Sequence, residues 1–284
     1  MSDGPYAEVI GDPIAHSKSP VIHKYWLEQT GIAADYRATH VKPDELAAYF
    51  AARRADPDWR GANVTIPHKQ AVIPLLDRLD PAAEKIGAVN AVRPEGDELV
   101  GYNTDFGGFL EPLRPVLAQS HLFRMARIFG AGGAAKAIAL ALWSQGFTIV
   151  VAARNLDQAR ALRAAFDPDD SLIAPLDHFA EPTDFAWDDR SGVLDLVVNT
   201  TSLGMKGQPP LKLDFSHVPP GATVYDIVYA PLETPLLAEA RARGHRTING
   251  LAMLIGQASE AFELFFGVPA PRSADDRLRE LLVA

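Results

Sequence analysis

The sequence predicts an α/β protein of two domains with largely parallel sheets, and three observations carry this prediction. The chain has 284 residues, enough for two domains that each bury their own core. Short apolar runs alternate with helix-like segments, which favours parallel strands covered by helices on both faces. Near the middle of the chain, an apolar strand runs into the glycine-rich turn 130–134, and an Ala- and Leu-rich helix follows.

The individual elements follow from these signals in chain order. In the first half, the predicted strands are residues 6–10, 35–41 and 62–66, the predicted helices are 20–29, 43–53 and 68–76, and a hairpin joins 88–92 to 99–102. In the second half, the predicted strands are 147–153, 193–198 and 223–227, and the predicted helices are 134–144, 156–166 and 251–266, with another helix opening at Thr234-Pro235.

Composition excludes several classes of function. There is no cysteine, so disulfides, zinc–thiolate sites and thiol catalysis are absent. No apolar run reaches membrane-spanning length and the first residues lack a leader pattern, so we expect a cytoplasmic protein without a membrane partner. The net charge of −9 argues against nucleic acid as a partner. Residues 167–189 hold eight acids and no Lys or Arg, which predicts a solvated surface excursion.

The loop 11–20 carries two hydroxyls close to a predicted helix start. Ser19 precedes Pro20, an arrangement typical of a helix N-cap, and this is one explanation of Ser19. Capping does not explain Ser17 and Lys18 beside it. Two hydroxyls at a helix entrance can bind a carboxylate.

The loop 63–69 holds a lysine in an unusual position. Asn63 and Thr65 point to one face of a strand, and Pro67 opens the next helix, so Lys69 falls in its first turn. The helix dipole disfavours a cation there. A proton-exchanging lysine is the functional interpretation, and a tolerated surface lysine is the alternative.

Asp105 follows Asn103 and Thr104 at a further helix start, where it can act as a simple cap. Gly107 and Gly108 come next, and two glycines in a first turn cost roughly 1 kcal/mol each relative to alanine. We therefore expect close access to the backbone there. The histidines, in contrast, show no ligand spacing, and no metal site is predicted.

The glycine turn has the form G-x-G-x-x-A, and Gly132 would let a pyrophosphate approach free backbone N–H groups at the helix start. A tightly packed strand–turn–helix is the alternative. The next strand ends in Arg154, 24 positions after Gly130, where NAD-binding proteins place an acid. An arginine suits a 2′-phosphate, which favours NADP over NAD, although an ordinary surface arginine would look the same.

Five segments in order resemble the shikimate dehydrogenases of the shikimate/quinate dehydrogenase superfamily: residues 14–20, 63–69, 87–90 and 103–105 together with the glycine turn. The similarity covers residues 6–269. It implies reversible NADPH-dependent reduction of 3-dehydroshikimate to shikimate in aromatic amino-acid (chorismate) biosynthesis. It also implies a substrate domain at 1–106 completed by C-terminal helices at 250–284, and a Rossmann-type NADP-binding domain at 107–249. The partner would be this small-molecule substrate, in a monomer or homodimer.

The resemblance assigns roles residue by residue. Lys69 would be the catalytic lysine and Asp105 its catalytic partner. The implied substrate-binding set also contains Ser17 and Ser19 for the carboxylate, with Asn63, Thr65, Asn90, Tyr229 and Gln257. The implied cofactor-binding set is Gly130, Ala131, Gly132, Gly133, Ala134, Arg154, Asn155, Thr200, Val228, Gly250 and Met253.

Two departures from the family pattern bear on these roles. The cofactor positions commonly read Asn-Arg-Thr with a second Arg three residues on, whereas here they read Ala153-Arg154-Asn155 with Gln158 in the second place. With one arginine left, a preference for NADP is still expected, and its strength is left open. Gly250-Leu251-Ala252 replaces the usual Gly-Leu-Gly. One alternative is a quinate/shikimate or aminoshikimate dehydrogenase, and Arg154 argues against an NAD-dependent enzyme of this kind. The other is a catalytically silent NADP-binding regulator, and the presence of both Lys69 and Asp105 argues against it.

Overall fold

The computed structural model describes residues 4–166, 172–184 and 192–283. The chain divides into two compact units: unit 1 is Met1–Gly108 with Ile255–Ala284, and unit 2 is Phe109–Leu254. Each unit contains one six-stranded sheet. The predicted α/β class with mostly parallel sheets is confirmed. None of the helices within the described ranges combines the length and apolar character needed to cross a membrane.

The sheet of unit 1 has the strand order β2-β1-β3-β5-β6-β4. Its strands are β1 (Tyr6–Gly11), β2 (Asp35–His40), β3 (Trp59–Val64), β4 (Arg78–Leu79), β5 (Ala91–Glu95) and β6 (Glu98–Tyr102). Strands β2, β1 and β3 run parallel, whereas β5 pairs antiparallel with β3 and β6. Its helices are α1 (Ser19–Thr30), α2 (Leu46–Arg54), α3 (His68–Ala71), α4 (Pro81–Ile86), the start of α5 (Asp105–Leu110), most of α10 (Gly250–Phe266) and α11 (Asp275–Val283).

The sheet of unit 2 is parallel throughout, in the order β12-β11-β10-β7-β8-β9. Its strands are β7 (Phe123–Phe129), β8 (Thr148–Ala153), β9 (Leu172–Pro175), β10 (Val193–Asn199), β11 (Thr223–Asp226) and β12 (Arg246–Ile248), and its helices are α6 (Arg114–Leu117), α7 (Gly133–Ser144), α8 (Leu156–Ala164) and α9 (Pro235–Ala242). The strand order reverses between β7 and β10. In such a Rossmann-type sheet, ligands bind beyond the carboxyl ends of the strands at this point.

Three local expectations were wrong or incomplete. Asp80 caps the short α4, which was not predicted, by accepting bonds from Ala82 N and Ala83 N. The predicted helix 68–76 is only one turn of α-helix followed by a 3₁₀ turn, because Pro74 interrupts it. Residues 172–180 of the acidic stretch are not a surface excursion, since β9 pairs with β8 and Phe179 is buried. Residues 181–184 of the stretch are mostly exposed, as predicted, and 167–171 and 185–189 lie outside the described residues.

His23 lies in the aromatic core of unit 1. Its ring stacks on Tyr36 with centroids 4.0 Å apart and also packs near Trp26, Phe262 and Phe265. Neither ring nitrogen has a hydrogen-bond partner among the described residues, and burial lowers the pKa of His23 from 6.5 to about 3. The native core therefore accepts only the neutral imidazole.

This burial predicts an acid-sensitive core. Below pH 6.5 the unfolded chain binds a proton at His23 that the native state does not bind until about pH 3. The free energy of unfolding should therefore fall as pH is lowered, by up to about 1.4 kcal/mol per pH unit in this window. Urea unfolding at pH 7 and pH 5 should show that the free energy of unfolding falls less between these two pH values in His23→Phe than in the wild type. His16→Gln is the control, because His16 is exposed. The prediction is contradicted if the free energy of unfolding of His23→Phe depends on pH as steeply as that of the wild type.

Candidate active and cofactor-binding sites

Lys69 and Asp105 form a close ion pair in unit 1. Lys69 Nζ donates to Asp105 Oδ2 at 2.5 Å. The aspartate side chain is 8% exposed and the lysine side chain 21%, so the pair is shielded but the ammonium still reaches the surface. Because α3 has only four residues, its dipole is too small to set the environment of Lys69. The carboxylate does so instead.

Asn90 holds Asp105 from its other side. Asn90 Nδ2 donates to Asp105 Oδ1 at 2.9 Å, and Asn90 Oδ1 accepts from Thr104 N at 2.7 Å. Asn103 Oδ1 accepts from Asp105 N at 3.1 Å. The Asp105 side chain thus binds a cation and an amide at the start of α5, and it is not a simple helix cap. This network limits the rotation of the carboxylate that orients Lys69.

Asn63 and Thr65 lie where β3 ends beside β1. Asn63 Nδ2 donates to the Asn90 carbonyl at 3.2 Å, which connects Asn63 to the Asp105 network. Thr65 N donates to Ile10 O at 3.0 Å. A Cβ on Gly11 would lie 2.6 Å from Thr65 Cγ2, so only glycine lets the two strand ends approach this closely. The structure therefore brings together Asn63, Thr65, Lys69, Asn90 and Asp105 in one unit.

The serine loop precedes α1. Ser19 is the first helical residue and is buried, whereas Lys18 occupies the cap position without a side-chain cap bond. The capping explanation of Ser19 is therefore wrong. Ser17 Oγ accepts from Ser19 N at 3.3 Å, which keeps the two serines adjacent.

Gly107 and Gly108 serve packing within unit 1. A Cβ on Gly108 would lie 2.4 Å from Gln257 N, and one on Gly107 would lie 1.8 Å from Glu260 Oε1. The expected close access to this backbone is real, but α10 occupies it. The contact also fixes Gln257, a predicted substrate residue, next to the start of α5.

The glycine turn of unit 2 forms an open cradle between β7 and α7. Gly130 has φ +115°, and a Cβ there would lie 2.4 Å from Thr200 Oγ1, which itself donates to Phe129 O at 2.7 Å. Gly132 caps α7, and a Cβ on Gly132 or Gly133 would meet no atom within 4 Å among the described residues, apart from those of its own chain neighbours and helix backbone. Open space at a helix N-terminus fits a dinucleotide pyrophosphate. Ala131 and Ala134 belong to the same turn.

Arg154 and Asn155 follow the end of β8. Arg154 is exposed, as a residue that binds a phosphate from solvent must be. Asn155 Oδ1 accepts from Asp157 N at 3.0 Å and from Gln158 N at 3.1 Å, so its side chain caps α8. Of these two residues, Arg154 is therefore the one with a charged and exposed side chain.

A buried Asp226 organises the loop that contains Val228. Asp226 Oδ1 accepts from Val228 N at 3.0 Å and from Asn199 Nδ2 at 3.0 Å, and Oδ2 accepts from Thr234 Oγ1 at 2.7 Å. Burial raises the pKa of Asp226 above its usual value, and these hydrogen bonds oppose that rise. Sequence analysis missed Asp226 and Asn199, although polar residues at the carboxyl ends of two apolar strands were a usable signal.

The remaining predicted cofactor contacts lie close to this loop. Gly250 N donates to Val228 O at 3.1 Å, and a Cβ on Gly250 would lie 2.0 Å from Ile227 O. Met253 is buried one turn further along α10, and Tyr229 is half-buried. No cluster of three metal-ligating side chains occurs in the part of the chain that the structure describes.

The chain matches known protein families at both ends. Residues 9–92 match the shikimate dehydrogenase substrate binding domain, and residues 250–275 match the shikimate 5'-dehydrogenase C-terminal domain. A curated relative, the shikimate dehydrogenase (NADP(+)) of Sphingopyxis alaskensis, is 49% identical over 99% of this chain and 97% of its own length.

Two solved structures are similar along their full length. The shikimate 5-dehydrogenase of Thermus thermophilus, in complex with NADP(H) and shikimate, has a TM-score of 0.83 at 33% identity and covers 98% of this chain and 99% of its own. A ligand-free 5-ketofructose reductase from Gluconobacter has a TM-score of 0.84 at 27% identity and covers 99% of this chain and all of its own. The fold therefore occurs in enzymes named for more than one substrate.

Proposed function

The chain belongs to the shikimate dehydrogenase family, and on that premise we propose that it catalyses the reversible NADPH-dependent reduction of 3-dehydroshikimate to shikimate. The observation that carries the proposal is the shielded Lys69–Asp105 pair, at 2.5 Å, in a setting of amide and hydroxyl side chains. A catalytically silent regulator would have no use for this pair. The reaction is a step of aromatic amino-acid (chorismate) biosynthesis, and we place it in the cytoplasm, in a monomer or homodimer.

The residues of unit 1 supply the proton chemistry and hold the substrate. NADPH, when bound, supplies the hydride that adds to the ketone carbon. The Lys69 ammonium stabilises the negative charge that develops on the ketone oxygen and then donates the proton that completes the alcohol. Asp105 orients Lys69 and accepts a hydrogen bond from a neighbouring ring hydroxyl. In the reverse direction, neutral Lys69 takes the proton back.

The other predicted residues of unit 1 recognise the rest of the substrate. Ser17 and Ser19 bind the carboxylate at the entrance of α1. Asn63, Thr65 and Gln257 bind ring hydroxyls. Asn90 acts on the substrate through Asp105, because it holds the carboxylate of that residue.

Unit 2 binds the cofactor. The open turn at Gly132 and Gly133 holds the pyrophosphate on backbone N–H groups, and Arg154 binds the 2′-phosphate. Val228, Gly250 and Met253 are the proposed contacts to the nicotinamide, and Thr200 is a further proposed contact to the cofactor. Tyr229 is a further proposed substrate contact.

A single assay separates this function from its alternatives. The protein is mixed with NADP or NAD and with shikimate, quinate or aminoshikimate, and reduced nicotinamide is followed by absorbance. The highest kcat/KM is expected with shikimate and NADP. Higher kcat/KM with quinate and NAD would replace the proposal with a quinate dehydrogenase, and no turnover with any pair, despite NADP binding, would favour the silent regulator.

The serine loop predicts discrimination between acidic and uncharged substrates. The likeness to a 5-ketofructose reductase makes 5-ketofructose, which has no carboxylate, the informative competitor. Reduction of 3-dehydroshikimate by NADPH should exceed reduction of 5-ketofructose by at least 100-fold in kcat/KM, because two charge-assisted hydrogen bonds are lost with the uncharged sugar. Equal rates with the two ketones would contradict the carboxylate role of the loop.

The same role predicts the effect of serine substitutions. Ser17→Ala and Ser19→Ala should each raise KM for shikimate about 10- to 100-fold, because each removes a hydrogen bond to a charged group. KM for NADP and the melting temperature should stay close to wild type, as in the control Ser144→Ala at the end of α7. A lower melting temperature without a change in KM would assign Ser19 to structure alone.

A further inference from the structure

Tyr36 on β2 has no place in the chemistry described so far, yet it contacts that machinery directly. The residue is fully buried, and its Oη donates to Asn63 Oδ1 at 2.6 Å. Asn63 Oδ1 can only accept a hydrogen bond, so the tyrosine hydroxyl must be the donor. This is a short bond between buried groups, and its loss leaves a buried acceptor unpaired.

The opposite side of the Asn63 amide is fixed as well. Asn63 Nδ2 donates to the Asn90 carbonyl, which can only accept. If the amide turned over, its oxygen would face that carbonyl oxygen, which would keep only its bond from Val64 N, and two acceptors would lie against each other. Tyr36 and the Asn90 carbonyl therefore hold the amide in one orientation. In this orientation Asn63 Nδ2 carries a second N–H that it can donate to a ligand.

Tyr36 also reaches the serine loop. Burial raises the pKa of Tyr36 well above its usual value, and a hydrogen bond with the Ser19 side chain opposes that rise. One phenol oxygen thus contacts Ser19 at the start of α1 and Asn63 at the end of β3. The ring itself is held by its stack on His23, with planes 2° apart, so the oxygen has little freedom to move.

We propose that Tyr36 is a positioning residue for the substrate: it sets the spacing between Ser19 and Asn63 and orients Asn63 so that its amide donates to a ring oxygen. The proposal rests on the function proposed above. It assigns substrate recognition to a residue that does not contact the substrate. Its effect should fall on binding of shikimate, since the polar partners of its hydroxyl are Ser19 and Asn63, which are proposed to bind substrate and not to transfer the proton.

Tyr36→Phe is the test, because it deletes the hydroxyl and keeps the ring stacked on His23. KM for shikimate should rise about 5- to 20-fold, as expected for the loss of one buried hydrogen bond, with kcat within twofold and KM for NADP unchanged. The control is Tyr6→Phe, which deletes the hydroxyl of another buried tyrosine of unit 1, whose bond to Asp56 Oδ2 is also 2.6 Å. The control should leave KM for shikimate unchanged.

A double mutant tests whether Tyr36 acts on substrate binding through Asn63. In an Asn63→Ala background, Tyr36→Phe should raise KM by less than half of its effect in the wild type, because the residue it orients is gone. Full additivity, an unchanged KM in Tyr36→Phe, or an equal rise in Tyr6→Phe would each overturn the proposal.

A second variant keeps the proposal testable if Tyr36→Phe does not fold. Asn63→Asp retains an acceptor for Tyr36 but has no N–H for the substrate. It should raise KM for shikimate at least as much as Asn63→Ala, and a KM near wild type would show that donation by Asn63 is irrelevant. Wild-type protein without turnover of shikimate would overturn the proposed function and this inference together, whereas a failure confined to the variants overturns only the inference.

Discussion

Lys69→Ala should lower kcat for shikimate oxidation by about 10²- to 10⁴-fold while shikimate still binds, since general acid–base catalysis contributes a factor of this size. A lysine that only anchored substrate would change KM and spare kcat. The contribution of Lys69 belongs mainly to the transition state, where charge develops on the ketone oxygen. The measurement combines steady-state kinetics with shikimate binding followed by calorimetry.

The structure provides a matched control for this variant. Lys24 also pairs with an aspartate, Asp35, at 3.3 Å, but both side chains are well exposed. Lys24→Ala should leave kcat within twofold of wild type, because exposed ion pairs contribute little.

Asp105→Asn should also lower kcat. The fold-loss of kcat in the Lys69→Ala/Asp105→Asn double mutant should be smaller than the product of the two single fold-losses, since the two residues act as a unit. A Lys69→Ala enzyme within a few-fold of wild-type kcat would rule out Lys69 as the proton donor.

Arg154→Asp should reverse the preference for NADP over NAD. The substitution removes a charge-assisted pair with the 2′-phosphate and adds repulsion, together about 2–4 kcal/mol. This corresponds to a change of about 30- to 1000-fold in the ratio of kcat/KM for the two cofactors. The effect should rest on this residue because Gln158 stands where the family pattern has a second arginine, and the Asn155 side chain caps α8.

Arg160→Asp is the matched control for cofactor preference. Arg160 lies on α8 and is exposed, with its own partner Asp157, so reversing its charge should leave the cofactor ratio within about twofold. Fluorescence of bound NADPH gives the affinity independently of turnover. If the cofactor ratio is the same in Arg154→Asp and wild type, Arg154 does not bind the 2′-phosphate.

Local patterns predicted most of the fold. The strand before the glycine turn, α7 and β8 lie where apolar runs, glycines and helix-forming residues put them. The short β4 and α4 were missed because two- and six-residue elements carry too little periodicity, although Asp80-Pro81 is a recognisable helix start. Close access to the backbone was expected at Gly107 and Gly108, but what was expected to approach it was not a helix of the protein itself. The helix that packs on them lies about 150 residues later, and no local pattern reveals such a contact.

The candidate site was predicted as a set of residues rather than as an arrangement. The order of the motifs indicated that Lys69 and Asp105 are the catalytic pair, and the structure shows a hydrogen bond between their side chains. The helix-dipole argument for Lys69 was weak because the helix is one turn long. Tyr36 and Asp226 escaped prediction for a common reason. Their side chains act on other side chains from inside the core. The sequence around Tyr36 resembles that of any buried strand, and the one signal for Asp226 was its place at the carboxyl end of an apolar strand.

The glycine contact between α5 and α10 has a consequence for engineering the substrate range. Backbone lies against backbone where Gly108 meets Gln257, with no side chain between them that could shrink or grow. The start of α5 and this part of α10 therefore behave as a fixed frame, and even one added methyl group at position 108 would push them apart. Enlarging the substrate range by mutation should accordingly succeed in the serine loop, which has side chains to exchange, and fail at this helix crossing.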